Sequence, residues 1–569
     1  MMNLKQQIAQ KLMIDLRYFG DSPTARTPMT RLPGAVADWI ARCGLGGVIL
    51  FSENLESPEQ IRTLTSALQW AAARSSLGAP LLISVDQEGG RVCRTPKAHT
   101  TAFAGNMALG AASSVHPELA NEVAVAMGRE LLALGINVNH APCIDVNNNP
   151  DNPVINVRAY GDHPQLVARL GLAQVQGFAS AGILSTLKHF PGHGDTHSDS
   201  HTGLPRVEYD RSHLDGMELA PYRAILQQIQ PDMVMTAHIQ YPALDDTTLI
   251  GRDGLAHLVP ATLSRKIITG LLRQQLGYQG VVITDALDMA GISGWLSLTQ
   301  AVIHSFAAGV DIALMPVRIR CEADLVKLDE LIDAVAEALA AGKLDPGEWQ
   351  DSLTRIADLK RRLAPDLLPS PEVLGCDAHR SLERKLATAA VTQLCPNTLP
   401  RPATAHRHWL LMLPDLEKAN ALAAALKELK PELEIRCASL LQPEAELHQA
   451  MAQADLVISG FISPRQSAAE LGGMEDVSAL DEQALIQAHQ PERLVPLLKQ
   501  AKASGRSVIH LSLRAPYEFS LVSPWCHWGL ASFAYHLDRP GRGASYDSLA
   551  RVLLGLAPAP GLMPLKEGE

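Results

Sequence analysis

Several features that mark other classes of protein are absent from this chain of 569 residues. No stretch is rich in lysine and arginine, and the net charge is −11, so a run of phosphates would find little counter-charge and nucleic acid is not an expected partner. No apolar run reaches the length of a membrane span, and the N-terminus lacks the uninterrupted apolar core of a secretory signal. These absences predict a cytoplasmic protein without a membrane partner.

Cysteine is sparse, and internal repeats and low-complexity tracts are lacking. The eight cysteines are scattered and form no CxxC pair, which favours reduced thiols over a disulfide framework. The chain is longer than one hydrophobic core usually supports, and 47% of its residues are apolar. We therefore expect two or more globular domains.

Short β-branched runs alternate with longer amphipathic stretches from the N-terminus to about residue 340. Seven such runs stand out and an eighth is expected, which suits an α/β fold of the (β/α)8 TIM-barrel type better than an open sheet. The predicted strands lie at residues 46–51, 81–86, 136–139, 182–187, 233–238, 281–285 and 310–314.

Proline-rich breaks at 363–371 and 396–402 divide the chain. They predict a catalytic barrel over 1–364, a linker with one helix-like run (382–394) over 365–404, and a smaller C-terminal α/β sandwich domain over 405–569. The strands expected in that domain lie at 409–413, 433–436, 456–459 and 507–511.

The segment from Lys188 to His201, KHFPGHGDTHSDSH, packs four histidines and two aspartates around a proline and two glycines. Pro191, Gly192 and Gly194 are incompatible with a continuing strand or helix. Titratable groups therefore follow the end of a predicted strand. In a parallel barrel that end belongs to the face where such folds keep their chemistry.

Three interpretations of this loop compete. His189, His193, His197 and His201 recur every four residues, but the proline and glycines remove the helix that would align them, and no HExxH pattern is present, so we expect no bound metal. Asp199 and His201 lie two residues apart, which suits an acid/base pair in which the carboxylate orients the imidazole. In the third interpretation the polar side chains only bind the loop's own backbone.

Two other predicted strands end in a carboxylate. Asp86 precedes twin glycines that allow a ligand close to the backbone, and Arg91 and Arg94 suit a carboxylate or sugar hydroxyls, unless this is a glycine-rich turn with an exposed ion pair. Asp285 presents a rigid carboxylate suited to a nucleophile, unless it caps the next helix, on which Asp288 is expected.

A long polar loop over 147–153 lies between Asp145 and Arg158. Such a loop is unusual in a compact barrel unless it serves the site. Asp145 and Arg158 are therefore candidates for the site, with membership of a structural ion pair as the alternative.

Three segments, in this order, resemble glycoside hydrolase family 3 in its β-N-acetylhexosaminidase branch: VDQEGGRVCR at 85–94, KHFPGHG followed after four residues by DSH at 188–201, and ITDALDM at 283–289. The DSH after KHFPGHG is the specific part of this resemblance, whereas the other two segments are shared more loosely across the family. The resemblance covers the barrel well and the second domain only in outline.

The resemblance implies a retaining double displacement. Asp285 is then the nucleophile, and His201, oriented by Asp199, is the acid and later the base. The positions implied to hold N-acetylglucosamine are Asp86, Arg94, Arg158, Lys188 and His189, with His238 nearby. Family 3 β-glucosidases take their acid/base from the second domain, around Glu470 here, but Asp199 and His201 already fill that role.

We therefore expect an exo-β-N-acetylglucosaminidase that removes terminal N-acetylglucosamine from peptidoglycan turnover fragments, with no metal and no organic cofactor. The sequence leaves its oligomeric state open. The alternatives are a β-glucosidase or β-xylosidase, a phosphorylase that uses phosphate as acceptor, a metal-dependent hydrolase and a glycan-binding protein. A phosphorylase is among the alternatives because a neutral imidazole in place of a carboxylate removes an anion from beside the acceptor. An anionic acceptor such as phosphate would then meet less repulsion.

Overall fold

A computed structural model of the chain describes residues 2–196, 203–365, 367–463 and 490–566. Eight short strands, each with its residues buried, form one parallel sheet. Such runs suit a parallel sheet covered on both faces. The strands are β1 (Leu12–Asp15), β2 (Gly47–Ile49), β3 (Leu82–Val85), β4 (Val138–Asn139), β5 (Leu184–Phe190), β6 (Met233–Thr236), β9 (Val281–Ile283) and β10 (Ala313–Leu314), with an antiparallel hairpin of β7 (Thr248–Ile250) and β8 (Ala256–Leu258) inserted before β9.

The parallel strands follow the order β10-β1-β2-β3-β4-β5-β6-β9, and a bridge between Ile283 and Ile312 joins the last to the first. The predicted (β/α)8 barrel is confirmed. The eighth strand is β1, which sequence reading missed because it follows the first helix after the single residue Lys11, with no glycine or proline between them.

Helices surround the barrel and bury their apolar faces against it. One of them, over 164–181, begins with Pro164 and ends at Gly182, whose φ of +89° is the left-handed conformation common at helix ends. The helices are α1 (Leu4–Gln10), α2 (Gly34–Cys43), α3 (Pro58–Ala73), α4 (Asn106–Ala112), α5 (Leu119–Ala133), α6 (Pro164–Ala181), α7 (Arg211–Gly216), α8 (Leu219–Leu226), a π-helix (Lys266–Gln275), α9 (Ala290–Ser293), α10 (Leu298–Ala308), α11 (Leu325–Ala340) and α12 (Pro346–Arg361).

One end of the barrel is closed by α12. Its Ile356 and Leu359 join the apolar cluster that fills the barrel interior. Its Arg355 pairs with Asp311, just before β10, at 2.8 Å. Because Asp311 precedes its strand, α12 covers the N-terminal face and leaves the C-terminal face for the site.

The second sheet has the order β11-β16-β15-β14-β12-β13, parallel except for β11 against β16. Successive residues of one strand, such as Leu411 and Met412, point to opposite faces of the sheet and enter two separate apolar clusters. Helices therefore cover both faces, and the predicted α/β sandwich is confirmed. The elements are α13 (Asp377–Ala390), β11 (Thr392–Cys395), β12 (His408–Leu413), α14 (Leu416–Leu429), β13 (Glu434–Ser439), α15 (Glu444–Ala452), β14 (Leu456–Phe461), α16 (Leu494–Ala503), β15 (Ser507–Ser512), α17 (Phe519–Val522), β16 (Trp528–Ala531) and α18 (Ala544–Leu553).

The helix-like run over 382–394 is corrected by the structure. Helix α13 ends at Ala390, and the next residues form β11, which pairs with β16. The strand was missed because it follows the helix without a breaker, and its partner lies more than a hundred residues later. The predicted linker over 365–404 thus contains a strand of the second sheet as well as a helix, while the domain boundaries stay a prediction.

Short 3-10 turns complete the fold at Ser52–Asn54, Asn156–Arg158, Ala261–Leu263, Glu322–Asp324, Pro371–Val373, Ala403–Ala405, Pro491–Arg493 and Ser523–Trp525.

Among the described residues, we find no helix with both the length and the apolar character that crossing a membrane requires.

Candidate active site

The C-terminal ends of the barrel strands surround one cleft. Asp285 lies two residues beyond β9, and Asp86 lies one residue beyond β3, with its side chain 22% exposed. The charged and imidazole side chains that line the cleft are Asp15, Arg17, Asp86, Glu88, Arg94, Arg158, Lys188, His189, His193, Asp285, Asp288, Arg318 and Arg320. Six predicted site residues therefore meet in one place: Asp86, Arg94, Arg158, Lys188, His189 and Asp285.

Asp285 does not cap a helix. The next helix, α9, begins at Ala290 with Met289 in the capping position. Asp285 Oδ1 accepts a hydrogen bond from the backbone N–H of Ala286 at 2.8 Å. Asp288 was expected on that helix, but the structure places it in the turn before α9, where it pairs with Arg318 at 3.2 Å.

A buried network of four charges forms one wall of the cleft. Glu88 accepts hydrogen bonds from Arg158 Nε at 2.9 Å and from Arg158 Nη2 at 2.8 Å, a two-bond geometry that fixes the guanidinium plane. Lys188 Nζ lies 2.7 Å from Glu88 Oε1 and also donates to Asp86 Oδ1 at 2.7 Å. Two cations and two carboxylates are thus held in fixed positions.

The network keeps its carboxyl groups ionised. Burial acts to raise the pKa of Glu88, but Arg158 and Lys188 outweigh it and lower the value to about 2. Burial also opposes ionisation of Asp86, yet the charge of Lys188 brings its pKa well below the ordinary value. Both groups are therefore anionic at neutral pH, and an ionised Asp86 is able to accept hydrogen bonds from hydroxyl groups.

Asp145 organises the strand end that carries His189. Its Oδ2 lies 2.7 Å from His189 Nδ1, and its Oδ1 accepts hydrogen bonds from the backbone N–H groups of His189 at 3.1 Å and His193 at 2.8 Å. A carboxylate on Nδ1 places the proton there and turns Nε2 into an acceptor. Arg158 Nη2 lies 3.4 Å from that Nε2. Asp145 is thus a positioning residue beneath the cleft.

The polar loop over 147–153 braces the histidine-rich loop. Asn152 Nδ2 donates hydrogen bonds to the carbonyl oxygens of His193 at 2.8 Å and of Gly194 at 2.9 Å. Asn147 Nδ2 donates to the hydroxyl of Tyr517 in the second domain. The loop therefore joins the barrel site to the second domain.

Arg94 and His238 differ in their placement. Arg94 lines the cleft, and burial lowers its pKa, against the effect of Asp86 and Glu88. His238 is fully buried, with Nδ1 2.8 Å from the hydroxyl of Thr262 and Nε2 3.0 Å from the carbonyl oxygen of Ala286. His238 thus contacts the residue after Asp285 rather than the cleft.

Asp199 and His201, the predicted acid/base pair, lie outside the described residues, as do His197 and Glu470. The described part of the same loop ends at Thr196, which lies 2.9 Å from His193 Nδ1 through its hydroxyl. The roles predicted for Asp199 and His201 therefore stay predictions.

Sequence reading gave no role to two carboxylates of the cleft, Glu88 and Asp15. Glu88 belongs to the VDQEGG segment, but its pairing depends on Arg158 and Lys188, which are distant in sequence. Asp15 ends the missed strand β1; burial and the nearby charge of Asp288 raise its pKa to about 6. The sequence did contain a signal for Asp15, because this residue is a carboxylate at the end of an apolar run.

Cys143, Asp145 and His189 offer ligand atoms within 4.8 Å of one another. Burial raises the pKa of the Cys143 thiol well above its ordinary value, so it favours the protonated form. Cys143 Sγ lies 3.1 Å from Asp145 Oδ2, the oxygen that also faces His189. The group is therefore satisfied by its own hydrogen bonds.

A closed parallel barrel with carboxylates, cations and histidines gathered at its C-terminal face defines an enzyme of the (β/α)8 class. The model for the glycosyl hydrolase family 3 N-terminal domain matches residues 3–359. The chain belongs to glycoside hydrolase family 3 and is a glycosidase, which confirms the resemblance seen in the sequence.

Relatives extend this likeness to the whole chain. β-Hexosaminidase A of Pseudoalteromonas piscicida is 46% identical over 576 residues, covering 98% of this chain and 96% of the relative. A β-hexosaminidase of Alkalilimnicola ehrlichii is 38% identical over 290 residues, or 50% of this chain and 78% of the relative. The solved structure of a family 3 β-N-acetylglucosaminidase from Paenibacillus sp. str. FPU-7 superposes with a TM-score of 0.79 at 31% identity, covering 99% of both chains.

Proposed function

We propose that this protein is a retaining exo-β-N-acetylglucosaminidase. The observation that carries the proposal is Asp285, a carboxylate at the end of β9 in a cleft whose other wall is a fixed, charged network. The similarity to β-hexosaminidase A along nearly the whole chain supports the acetamido sugar as the substrate.

In this mechanism Asp285 attacks the anomeric carbon and forms a glycosyl-enzyme ester. His201, oriented by Asp199, protonates the departing glycosidic oxygen. Water then hydrolyses the ester, with His201 taking the proton from the water. The hydrogen bond from the Ala286 N–H fixes one oxygen of Asp285, which supports a single orientation of the attacking carboxylate.

The sugar is held by the network around Glu88. Asp86 accepts hydrogen bonds from sugar hydroxyls, while Lys188 and Arg94 donate to them. Arg158 and His189 complete the wall, Arg158 being oriented by Glu88 and His189 by Asp145. His238 acts indirectly, by holding the carbonyl group of Ala286 beside the nucleophile.

Peptidoglycan turnover fragments with a terminal N-acetylglucosamine are the substrate that we propose. They carry the required sugar on a carboxylate-bearing partner. Arg17, Arg318 and Arg320 line the cleft and offer guanidinium donors, although each also lies beside a carboxylate of the protein. The cytoplasmic location stays a prediction.

The test compares nitrophenol release from the β-N-acetylglucosaminide and the β-glucoside. We expect the acetamido sugar to be preferred and Asp285→Asn to lose at least about a thousandfold in kcat/KM, since it removes the nucleophile. His201→Ala should keep much of its kcat/KM because nitrophenol departs without acid assistance, while its kcat falls because the base that activates water is lost. The control is Asp246→Asn, an exposed carboxylate.

Each other result has a defined meaning. Preference for the glucoside would establish a β-glucosidase. Turnover that requires phosphate and yields a sugar 1-phosphate would establish a phosphorylase, whereas equal turnover with and without phosphate supports hydrolysis. Loss of activity on chelation would indicate a metal-dependent hydrolase, and no turnover of either substrate would favour a glycan-binding protein.

A further inference from the structure

A second polar cluster lies beside the histidine-rich loop and has no part in the mechanism above. Asp195 follows β5, His213 lies in α7 and Glu218 precedes α8. One ligand atom from each of the three lies within 4.8 Å of the others. None of the three is among the described residues that line the catalytic cleft.

The main observation on this cluster concerns the carboxyl group of Glu218. Its side chain is only 3% exposed, and neither carboxylate oxygen has a hydrogen-bond partner among the described residues. Gly192 packs against the stem of this side chain, since a Cβ at Gly192 would lie 2.7 Å from both Cβ and Cγ of Glu218. A buried carboxyl group without a partner is costly, and a bound cation supplies the missing interaction.

His213 faces the same point with its ring already oriented. The ring stacks on Tyr209 with the centroids 3.9 Å apart and the planes 14° from parallel. Its Nε2 is shielded from solvent and has no hydrogen-bond partner among the described residues. An imidazole nitrogen in this condition is a ready metal ligand.

From this geometry we infer that Asp195, His213 and Glu218 bind a divalent transition-metal ion, with zinc as the best match. One imidazole and two carboxylates suit zinc better than calcium or magnesium, which favour oxygen ligands. Tetrahedral ligands about 2.1 Å from zinc lie roughly 3.4 Å apart, so small side-chain rotations bring the three atoms into position. The ion ties the loop after β5 to the junction of α7 and α8.

The experiment measures zinc binding to the full chain after chelator treatment, by titration calorimetry and by metal analysis after dialysis. We expect one equivalent to bind, and His213→Gln and Glu218→Gln each to weaken binding at least about tenfold. The control is His116→Gln, which removes a surface histidine paired with Glu118. Circular dichroism and the Tm of each variant without zinc establish that it is folded.

The inference is wrong if zinc fails to bind saturably, or if it binds with the same affinity to wild type and to both cluster variants. A third variant, Cys143→Ser, separates this site from the group of Cys143, Asp145 and His189 beneath the cleft. Loss of zinc in Cys143→Ser with retention in His213→Gln would place the metal at the Cys143 group and overturn the assignment. Binding does not depend on the proposed glycosidase mechanism, so the two accounts fail separately.

Discussion

Glu88 connects the two cations on which recognition of the sugar depends in this account. It is buried with Arg158 and Lys188, and its pKa of about 2 reflects their charges. A buried ion pair contributes little net stability when intact, but removal of one partner leaves a charge that water cannot reach. Glu88 is therefore a positioning residue whose loss affects both binding and stability.

We predict that Glu88→Gln raises KM for the β-N-acetylglucosaminide at least about tenfold and lowers the free energy of unfolding by about 3–5 kcal/mol. The amide keeps the shape of the side chain but removes its charge, so Arg158 loses its carboxylate partner and Lys188 keeps only Asp86. Steady-state kinetics and denaturant unfolding measure the two effects.

The control for that variant is Glu118→Gln, which breaks an exposed pair with Lys385. Exposed pairs contribute about 0–1 kcal/mol, so it should unfold like wild type. An unchanged KM in Glu88→Gln would show that the network does not position the sugar-binding groups.

At the residue scale, sequence reading predicted the members of the site better than their pairings. Asp86 and Asp285 were found because each stands at the end of an apolar run, and Lys188 was found through the family resemblance. The link from Glu88 to Arg158 spans 70 residues and depends on how neighbouring strands register. No local pattern encodes that distance.

At the scale of elements, two loops depend on each other's backbone. Gly194 packs against the chain at Val146, and a Cβ at Gly194 would lie 1.5 Å from the carbonyl oxygen of Val146. Asn152 binds the carbonyl groups of His193 and Gly194 from the same side. These contacts fix the position of the start of the histidine-rich loop.

Gly194→Ala should therefore lower kcat/KM at least about a hundredfold, because a misplacement of about 1 Å near the chemistry has effects of that size. Kinetics on the nitrophenyl substrate check this, with Gly203→Ala as the matched variant, since a Cβ at Gly203 meets nothing within 4 Å. Equal activity of the two variants would mean that the close approach to Val146 does not place the loop.

Elements were predicted where an apolar run is bounded by turn residues, as for β3 and β9. They were missed where a strand follows a helix without a break, as for β1 and β11, or where tryptophan, glycine and alanine interrupt the pattern, as in β16. Each missed strand is completed by its neighbours in the sheet, so its identity depends on tertiary contacts.

At the scale of the whole molecule, the second domain contacts the loops of the barrel site. Tyr535 lies under the guanidinium of Arg91, 4.9 Å from it, and His536 Nε2 lies 2.8 Å from the carbonyl oxygen of Ala102. Tyr517 binds Asn147 of the polar loop. These contacts hold the second domain against the loops of the barrel site, an arrangement that its sequence did not indicate.

Helix α13 lies between the two domains and contains a buried carboxyl group. Glu383 is 3% exposed, and burial together with Asp538 raises its pKa to about 8. An unfolded glutamate ionises near its ordinary value, so the folded state binds more protons between that pH and about 8. Stability therefore falls as the pH rises through this window.

We predict that Glu383→Gln removes this part of the pH dependence. The Tm of the variant should exceed that of wild type by more at pH 8 than at pH 5, as measured by calorimetry at both values. Glu372→Gln, at an exposed position, should follow wild type at both. The same Tm difference between Glu383→Gln and wild type at both pH values would show that Glu383 ionises normally in the folded protein.

The central claim is that Asp285 forms a covalent bond to the sugar, and mass spectrometry of a trapped intermediate tests it most directly. A fluorinated N-acetylglucosaminyl fluoride slows hydrolysis of the ester, so the adduct accumulates and can be located by proteolysis. We expect one sugar per chain, attached to the peptide that contains Asp285. Attachment to another residue, or no adduct together with release of an α-configured product from the β-glycoside, would contradict the account.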